Sequence, residues 1–132
     1  MNGRSLNLEL VAGSYAVCRL AADAPLPPWA TSGSFVSVTR TDAELSIVCL
    51  QELVPAEVRA EPGWRCLRVK GPLGFGMTGI LASLASPLAG SGVSIFVVST
   101  YDTDYLMVQA RDLERATSAL ERAGHTLAPA PA

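Results

Sequence analysis

The chain has 132 residues, of which 49% are hydrophobic and 17% are charged, with a formal net charge of −2. This length supplies one domain or two very small fused units, and the apolar fraction suffices for a hydrophobic core. Because the basic residues are dispersed along an acidic chain, we expect no nucleic-acid binding, which needs a concentrated basic face. The small charged fraction predicts that a partner chain covers part of the surface.

Three cysteines, Cys18, Cys49 and Cys66, lie in apolar strand-like runs without a C-x-x-C pair. They are predicted to be buried free thiols. Residues 1–10 lack the charged segment and continuous apolar core of a signal peptide, so a reducing, cytoplasmic location is expected. The uncharged stretch between Lys70 and Asp102 is interrupted by glycine and proline, which predicts no membrane span.

The first half of the chain, residues 1–60, is predicted to hold strands and little helix. A proline-rich segment, residues 24–29, stands where a first helix would be, and a second helix is shortened to about residues 51–58. The apolar and β-branched runs predict strands at residues 15–20, 35–39 and 45–50, with a turn at 41–44.

The second half, residues 61–132, has a clearer pattern of β-α-β-β-α-β. Pro87 is expected to kink or end the first helix, Asp112 to cap the second, and Gly124 to end it. A hairpin recurs in both halves at an offset of sixty residues, which indicates an internal duplication with a degenerate first copy. The predicted elements are a strand at 64–69, a glycine-rich loop at 71–78, a helix at 78–89, a strand at 93–100, a turn at 102–104, a strand at 105–109, a helix from 112 and a strand at 125–128.

The junction between the glycine-rich loop and the first helix, residues 71–80, carries the strongest signal of a binding site. Glycines let the backbone approach a ligand, and the first N–H groups of a helix have no intrahelical acceptor. Together they predict an anion pocket suited to a carboxylate or a phosphate. The alternative is a tight turn that packs helix against sheet.

The same loop matches a dinucleotide fingerprint through Gly74, Gly76 and Gly79, followed by Asp102. A dinucleotide fold needs further parallel strands joined by crossover helices. After Asp102 the chain instead turns straight back in a hairpin. A nucleotide-binding fragment is therefore the remotest of the alternatives.

Asp102 and Asp104 lie in the hairpin turn without an adjacent lysine or arginine. Alone they fit an ordinary turn, but beside an anion pocket they would accept an ammonium or guanidinium group. The two features together match an α-amino acid. With His125 as the only histidine, predicted at the surface of a strand, and dispersed cysteines, the sequence predicts no metal site, no cofactor and no enzyme activity.

Residues 79–84, 87–89, 92–96 and 99–105 resemble the ACT-domain family. More narrowly, they are similar to the small bacterial tandem-ACT proteins related to the animal cytosolic arginine sensor. The resemblance implies an α+β fold of two ferredoxin-like βαββαβ units in tandem, the first degenerate, with antiparallel sheets and helices on one face. It also implies pairing at sheet edges, a homodimer, and an amino acid bound at an interface between units.

The resemblance further implies a regulatory protein that binds a free amino acid without catalysing a reaction. A structural dimerisation module that has lost its ligand is the main alternative. To the contacts that the family implies we add Asp102, from the charge argument above. The candidate ligand-binding residues are Gly74, Phe75, Gly76, Met77, Thr78, Gly79, Ile80, Thr100, Tyr101, Asp102 and Asp104.

Overall fold

The computed structural model describes residues 5–71 and 78–129, and the chain divides into two compact units. The first, here called the helical unit, comprises residues 1–12 and 65–132; the second, the strand unit, comprises residues 13–64. Two long strands, β1 (Asn7–Leu20) and β4 (Arg59–Val69), contribute to both units. The N-terminal segment thus belongs to the helical unit, and the predicted domain boundary at residue 60 stays a prediction.

The helical unit confirms the predicted β-α-β-β-α-β order. The elements after β4 are α1 (Ile80–Gly90), β5 (Ile95–Ser99), β6 (Asp104–Gln109), α2 (Leu113–Arg122) and β7 (Thr126–Ala128). The strands of this unit follow the order β7-β1-β4-β6-β5, in which β5 and β6 are antiparallel.

The N-terminal part of β1 is an element that the sequence analysis missed. Leu6 and Leu8 are buried in the core of the helical unit, and Leu10 packs against it. Asn7 pairs in parallel with Thr126 of β7, so this pairing departs from the antiparallel sheet that was predicted. The alternation of leucine with polar residues over 6–10 is the signal that could have identified this strand.

The core of the helical unit forms between its helices and one face of its strands. Leu84 and Leu88 stand one turn apart on α1, and both are fully buried. Leu120 of α2 and Leu106 of β6 are equally buried in the same cluster. Burial of this leucine stripe explains why a helix forms here, since a short isolated helix is marginal in water.

Each helix is followed, two residues after its last residue, by a glycine with positive φ. After α1, Gly92 has φ +72°, and Val93 donates its N–H to the carbonyl of Leu88 at 3.0 Å. After α2, Gly124 has φ +97°, and the N–H of His125 donates to the carbonyl of Leu120 at 3.0 Å. These bonds satisfy carbonyls that a helix end leaves without a partner.

Two details of the predicted helices need comment. Pro87 lies inside α1, which continues to Gly90, so the proline does not end the helix, and the predicted kink stays a prediction. Asp112 makes no side-chain cap bond to α2; its carboxylate instead accepts a hydrogen bond from Arg115 at 2.7 Å. The ion pair one turn along the helix therefore competes with the cap for the same carboxylate.

The strand unit contains the second part of β1 with β2 (Ser37–Arg40) and β3 (Leu45–Leu50), joined antiparallel in the order β2-β3-β1. The predicted helix at residues 51–58 is wrong, because only Gln51–Leu53 forms a short 3-10 helix. Pro55 has no N–H to donate to Gln51, and the N–H of Val54 donates there instead at 3.2 Å.

The two α-helices have 11 and 10 residues. A membrane-spanning helix needs about 20 predominantly apolar residues. Within residues 5–71 and 78–129, no helix is long and apolar enough to cross a membrane.

Candidate functional site

The turn between β5 and β6, residues 100–103, is stabilised by two threonines and is here called the threonine turn. The N–H of Thr100 donates to the carbonyl of Thr103 at 2.8 Å, and the hydroxyl of Thr100 donates to that carbonyl at 3.1 Å. The hydroxyl oxygen of Thr100 also accepts the N–H of Thr103 at 3.3 Å. Three hydrogen bonds thus fix residues 100–103, in the way that threonine side chains commonly stabilise turns.

Thr103 attaches this turn to the neighbouring strand. Its side chain is only 4% exposed, and its hydroxyl donates to the carbonyl of Val69 at 2.6 Å. Val69 is the last residue of β4, two residues before the start of the glycine-rich loop. The turn is therefore fixed to the end of the strand that leads into that loop. Thr103 is not among the predicted site residues, and its only signal in the sequence is its position between two aspartates.

The acidic groups of the turn are accessible to a ligand. Asp102 is exposed and Asp104 is half-buried. Asp104 accepts a hydrogen bond on Oδ1 from the hydroxyl of Ser99 at 2.6 Å, which orients its carboxylate. Within the described ranges neither aspartate forms an ion pair. Tyr101, which lies between Thr100 and Asp102, is 81% exposed.

The N-terminus of α1 presents mainly backbone groups. Gly79 precedes the helix with φ +76°, a conformation that favours glycine. Its carbonyl accepts the first helical bond from the N–H of Ser83 at 2.9 Å. The side chain of Ile80 is buried in the core, whereas Thr78 and Gly79 are exposed. The N–H groups of this helix start and the hydroxyl of Thr78 are therefore available to an anion.

The predicted site residues divide into three groups. Thr100, Tyr101, Asp102 and Asp104 lie together in one turn, and Thr78, Gly79 and Ile80 lie together at the start of α1. The remaining four, Gly74, Phe75, Gly76 and Met77, lie outside the described residues. The contact of Thr103 with Val69 links the turn to the residues that precede the loop.

The strand unit has a turn of the same construction. Thr41 donates its N–H to the carbonyl of Glu44 at 2.9 Å, and its hydroxyl oxygen accepts the N–H of Glu44 at 3.2 Å. The flanking pair of residues is Arg40 with Leu45 here, and Ser99 with Asp104 in the helical unit. The two hairpins therefore correspond at an offset of 59, not the predicted sixty, and Leu45 stands where the helical unit has Asp104.

The three cysteines are free and buried, as predicted. Burial raises the pKa of the Cys66 thiol to about 12. Burial, with the neighbouring Cys49, raises the pKa of the Cys18 thiol to about 12 as well. Because the reactive species is the thiolate, these positions are unsuited to nucleophilic chemistry near neutral pH. No group of His, Cys, Asp and Glu residues suited to a metal ion occurs within residues 5–71 and 78–129.

Two surface hollows of the described residues lie away from the predicted site. One, of about 520 Å³, runs beside α2 and includes Arg111 and Glu114. The other, of about 210 Å³, belongs to the strand unit and includes Arg19, Glu44 and Arg59. Both are open rather than enclosed, and neither includes a predicted site residue.

Comparison with known families agrees with this architecture. A family model described as an ACT domain matches residues 59–122, which include α1, the threonine turn and α2. A second model, described as an N-terminal domain, matches residues 13–57 of the strand unit. Residues 59–122 belong to the ACT-domain family.

The curated relatives of this ACT protein include animal arginine sensors. The "Cytosolic arginine sensor for mTORC1 subunit 1" of Rattus norvegicus is 30% identical over 129 residues, covering 92% of this chain and 38% of the relative. The Bos taurus protein of that name is 34% identical over 99 residues, covering 67% of this chain and 30% of the relative. The ACT chain thus spans about a third of the length of these relatives.

Solved structures support the ACT fold. A crystal structure of an Agrobacterium tumefaciens protein is 47% identical with a TM-score of 0.93, covering 98% of this chain and 97% of that one. Escherichia coli aspartokinase III, solved with aspartate and ADP, has a TM-score of 0.62 at 12% identity, covering 92% of this chain and 33% of that one. At that identity the second likeness concerns the fold alone.

Proposed function

We propose that this ACT protein is a cytoplasmic, non-catalytic regulatory module that binds a free amino acid. The observation that carries the proposal is the threonine turn with its two aspartates, which is anchored through Thr103 to the end of β4, just before the glycine-rich loop. This arrangement offers an acceptor for a cation next to the chain segment that leads to a helix N-terminus. An α-amino acid carries the two complementary charges.

The carboxylate of the ligand would be held by backbone N–H groups at residues 76–80. Of this set, the N–H groups of Gly79 and Ile80 have no acceptor within α1, because the first helical bond is made by Ser83 to Gly79. The helix dipole adds a partial positive charge at the same end. Ile80 would contribute its backbone alone, since its side chain is buried.

The positive group of the ligand would be held by Asp104, assisted by Asp102. The hydrogen bond from Ser99 orients the carboxylate of Asp104 and leaves its other oxygen as a potential acceptor. Thr100 and Tyr101, in the same turn, would line the site. A charged acceptor of this kind suits an ammonium or a guanidinium group equally well.

The relatives support a regulatory role in amino-acid sensing. Those matched over the greater part of the chain are named as arginine sensors, and the ACT fold recurs in regulatory subunits of aspartate kinase. Arginine is therefore the first candidate ligand to test. A second copy of the chain would complete the assembly, because β5 stands at the end of the strand order in its unit and residues 95–98 are only half-buried.

A thermal-shift screen of the twenty amino acids, with nicotinamide cofactors as the control, tests the proposal. Binding at about 100 Kd stabilises the folded state by about 2.7 kcal/mol, which raises the Tm of a domain of this size by several degrees. We expect one amino acid to raise the Tm and the cofactors to leave it unchanged. A flat response to every amino acid at millimolar concentration would favour the structural dimerisation module instead.

The proposed homodimer is tested separately by sedimentation. We expect a dimer at micromolar concentration, formed through the sheet edge and the uncharged surface around residues 93–100. Ile95 and Val97 pack against the core, so the charge is placed on the opposite face of the edge strand. Val98→Lys should shift the chain towards the monomer, whereas Thr126→Lys on β7 serves as the matched control. A clean monomer of the parent chain would contradict the dimer.

A further inference from the structure

His125 makes two hydrogen bonds from a buried position. It was predicted at the surface, but its side chain is only 4% exposed. Nδ1 lies 3.1 Å from the N–H nitrogen of Leu6, and Nε2 lies 2.9 Å from the carbonyl oxygen of Ser83. Because the backbone nitrogen of Leu6 can only donate, Nδ1 has to accept, and Nε2 carries the proton that is donated to Ser83. The ring is therefore held in one tautomer.

The carbonyl that His125 reaches is the one that Pro87 leaves without a helical donor. In an α-helix the N–H of residue 87 would donate to the carbonyl of Ser83, four residues earlier. Pro87 has no N–H, so this bond is missing inside α1. The Nε2–H group of His125 donates to that same oxygen. The imidazole thus occupies the place of the missing backbone donor.

Ser83 connects this bond to the start of the helix. Its N–H donates to the carbonyl of Gly79 at 2.9 Å, and its hydroxyl donates to the carbonyl of Ile80 at 2.8 Å. Ser83 therefore donates hydrogen bonds to Gly79 and Ile80 and accepts one from His125. On the other side of the ring, the buried Leu6 belongs to the N-terminal segment that leads into β1. The imidazole ties the first turn of α1 to that segment.

We propose that His125 is a positioning residue for the amino-acid site: it supplies the hydrogen bond that Pro87 removes from α1 and thereby fixes Gly79 and Ile80. The expected effect on binding rests on the proposed function. The replacement of the missing helical hydrogen bond by the imidazole is independent of that function and can be measured without a ligand.

Three substitutions separate the two hydrogen bonds of the ring. In His125→Asn the short amide can still accept from Leu6 but does not reach Ser83, whereas in His125→Gln the longer amide can still donate to Ser83. Pro87→Ala restores a backbone N–H that can donate to Ser83 on its own. The combination of Pro87→Ala with His125→Asn is therefore the rescue variant, and His125→Gln is the matched control.

The first measurement uses the protein without ligand. Since one hydrogen bond contributes modestly to stability, we expect His125→Asn to lower the folding equilibrium constant about twofold to tenfold relative to His125→Gln. The exchange protection of the Ser83 amide should fall in parallel. In the Pro87→Ala background, His125→Asn should lower both the folding equilibrium constant and the exchange protection of the Ser83 amide by less. In the parent chain, nitrogen NMR should find the imidazole proton on Nε2. An equal loss in both backgrounds, or a proton on Nδ1, would overturn the proposal.

The second measurement is titration calorimetry with the amino acid that stabilises the parent chain. We expect His125→Asn to bind it several-fold more weakly, while His125→Gln and the rescue variant bind like the parent. Unchanged affinity in His125→Asn would overturn the positioning role. If the parent binds no amino acid, the proposed function fails, and the exchange of the Ser83 amide then decides on its own whether His125 fixes the helix start.

Discussion

In the helical unit the strand after the threonine turn begins with Asp104, whereas in the strand unit the corresponding strand begins with Leu45. The hydrogen bonds of the two turns are nearly the same, from Thr100 to Thr103 and from Thr41 to Glu44. Yet Leu45 is fully buried and Asp104 is half-buried beside an exposed turn. A shared hairpin thus carries an acidic group in one unit and a core residue in the other.

The connections between the strands differ even more. The helical unit has α1, with its open N–H groups, and α2. The strand unit has the 3-10 helices Pro28–Ala30 and Gln51–Leu53 and is stabilised by a smaller apolar cluster. Edge-to-face packing of Tyr15 on Phe35, with ring centroids 5.9 Å apart, adds to it. The proposed chemistry for a carboxylate and for a cation therefore occurs in the helical unit alone.

The largest expected effect concerns the core that supports α1. Leu88→Ala removes a fully buried side chain, so the free energy of unfolding should fall by about 2–5 kcal/mol. Leu81→Ala on the same helix is the control, since its side chain is 45% exposed. Denaturant titration of both variants checks this. Equal losses would show that α1 does not depend on its apolar stripe.

A smaller effect is expected at the anchored turn. Thr103→Val keeps the shape of the side chain but removes the donor to Val69, which should cost about 1–3 kcal/mol because a buried carbonyl loses its partner. Thr41→Val, in the exposed turn of the strand unit, is the matched control and should cost less. If the two substitutions were equivalent in denaturant titration, Thr103 would have no anchoring role.

Gly79→Ala should destabilise the protein by about 1 kcal/mol, because an L-residue is disfavoured at φ +76° although the space around Gly79 is open. Gly90→Ala is the control at the other end of α1, where the space is also open and φ is not positive. Its stability should be unchanged or slightly higher. A neutral Gly79→Ala would show that the helix start tolerates another backbone conformation.

A further effect is common to both units and appears only in alkali. The pKa values of Cys18 and Cys66 are raised by burial from 9.0 to about 12. The unfolded chain therefore loses these protons at lower pH than the folded one, so their contribution to stability is present below about pH 9 and is lost as the pH rises towards 12. The double variant Cys18→Ala, Cys66→Ala should lose stability less steeply over this range.

Most of the fold could be predicted from the sequence because its elements carry local patterns. The leucine spacing of α1 and the β-branched runs of β5 and β3 arise because these side chains are buried, and such spacing can be recognised in the sequence alone. The N-terminal strand has a local signal in the alternation over residues 6–10, but its parallel pairing with β7, more than one hundred residues away, has none. The predicted helix at 51–58 is wrong because Pro55 has no N–H to continue the helical pattern beyond the 3-10 turn at Gln51–Leu53.

The site was predictable only where side-chain type carries the chemistry. Asp102 and Asp104 were identified by their charge, whereas Thr103 and His125 act through hydrogen bonds to Val69, Ser83 and Leu6. Such bonds join residues 34 to 119 positions apart. No local pattern reports a partner at that distance. A lone histidine near a chain end gives the same sequence signal whether it is exposed or buried.

Titration calorimetry on Asp104→Asn tests the central claim most directly, with Asp42→Asn in the turn of the strand unit as the control. Asparagine preserves turn geometry but removes a charge-assisted bond worth about 1.5–3 kcal/mol. Affinity for the amino acid that stabilises the parent should therefore fall about ten- to more than a hundredfold in Asp104→Asn and stay unchanged in Asp42→Asn. Parent-like affinity in Asp104→Asn would contradict the account and remove Asp104 from the site.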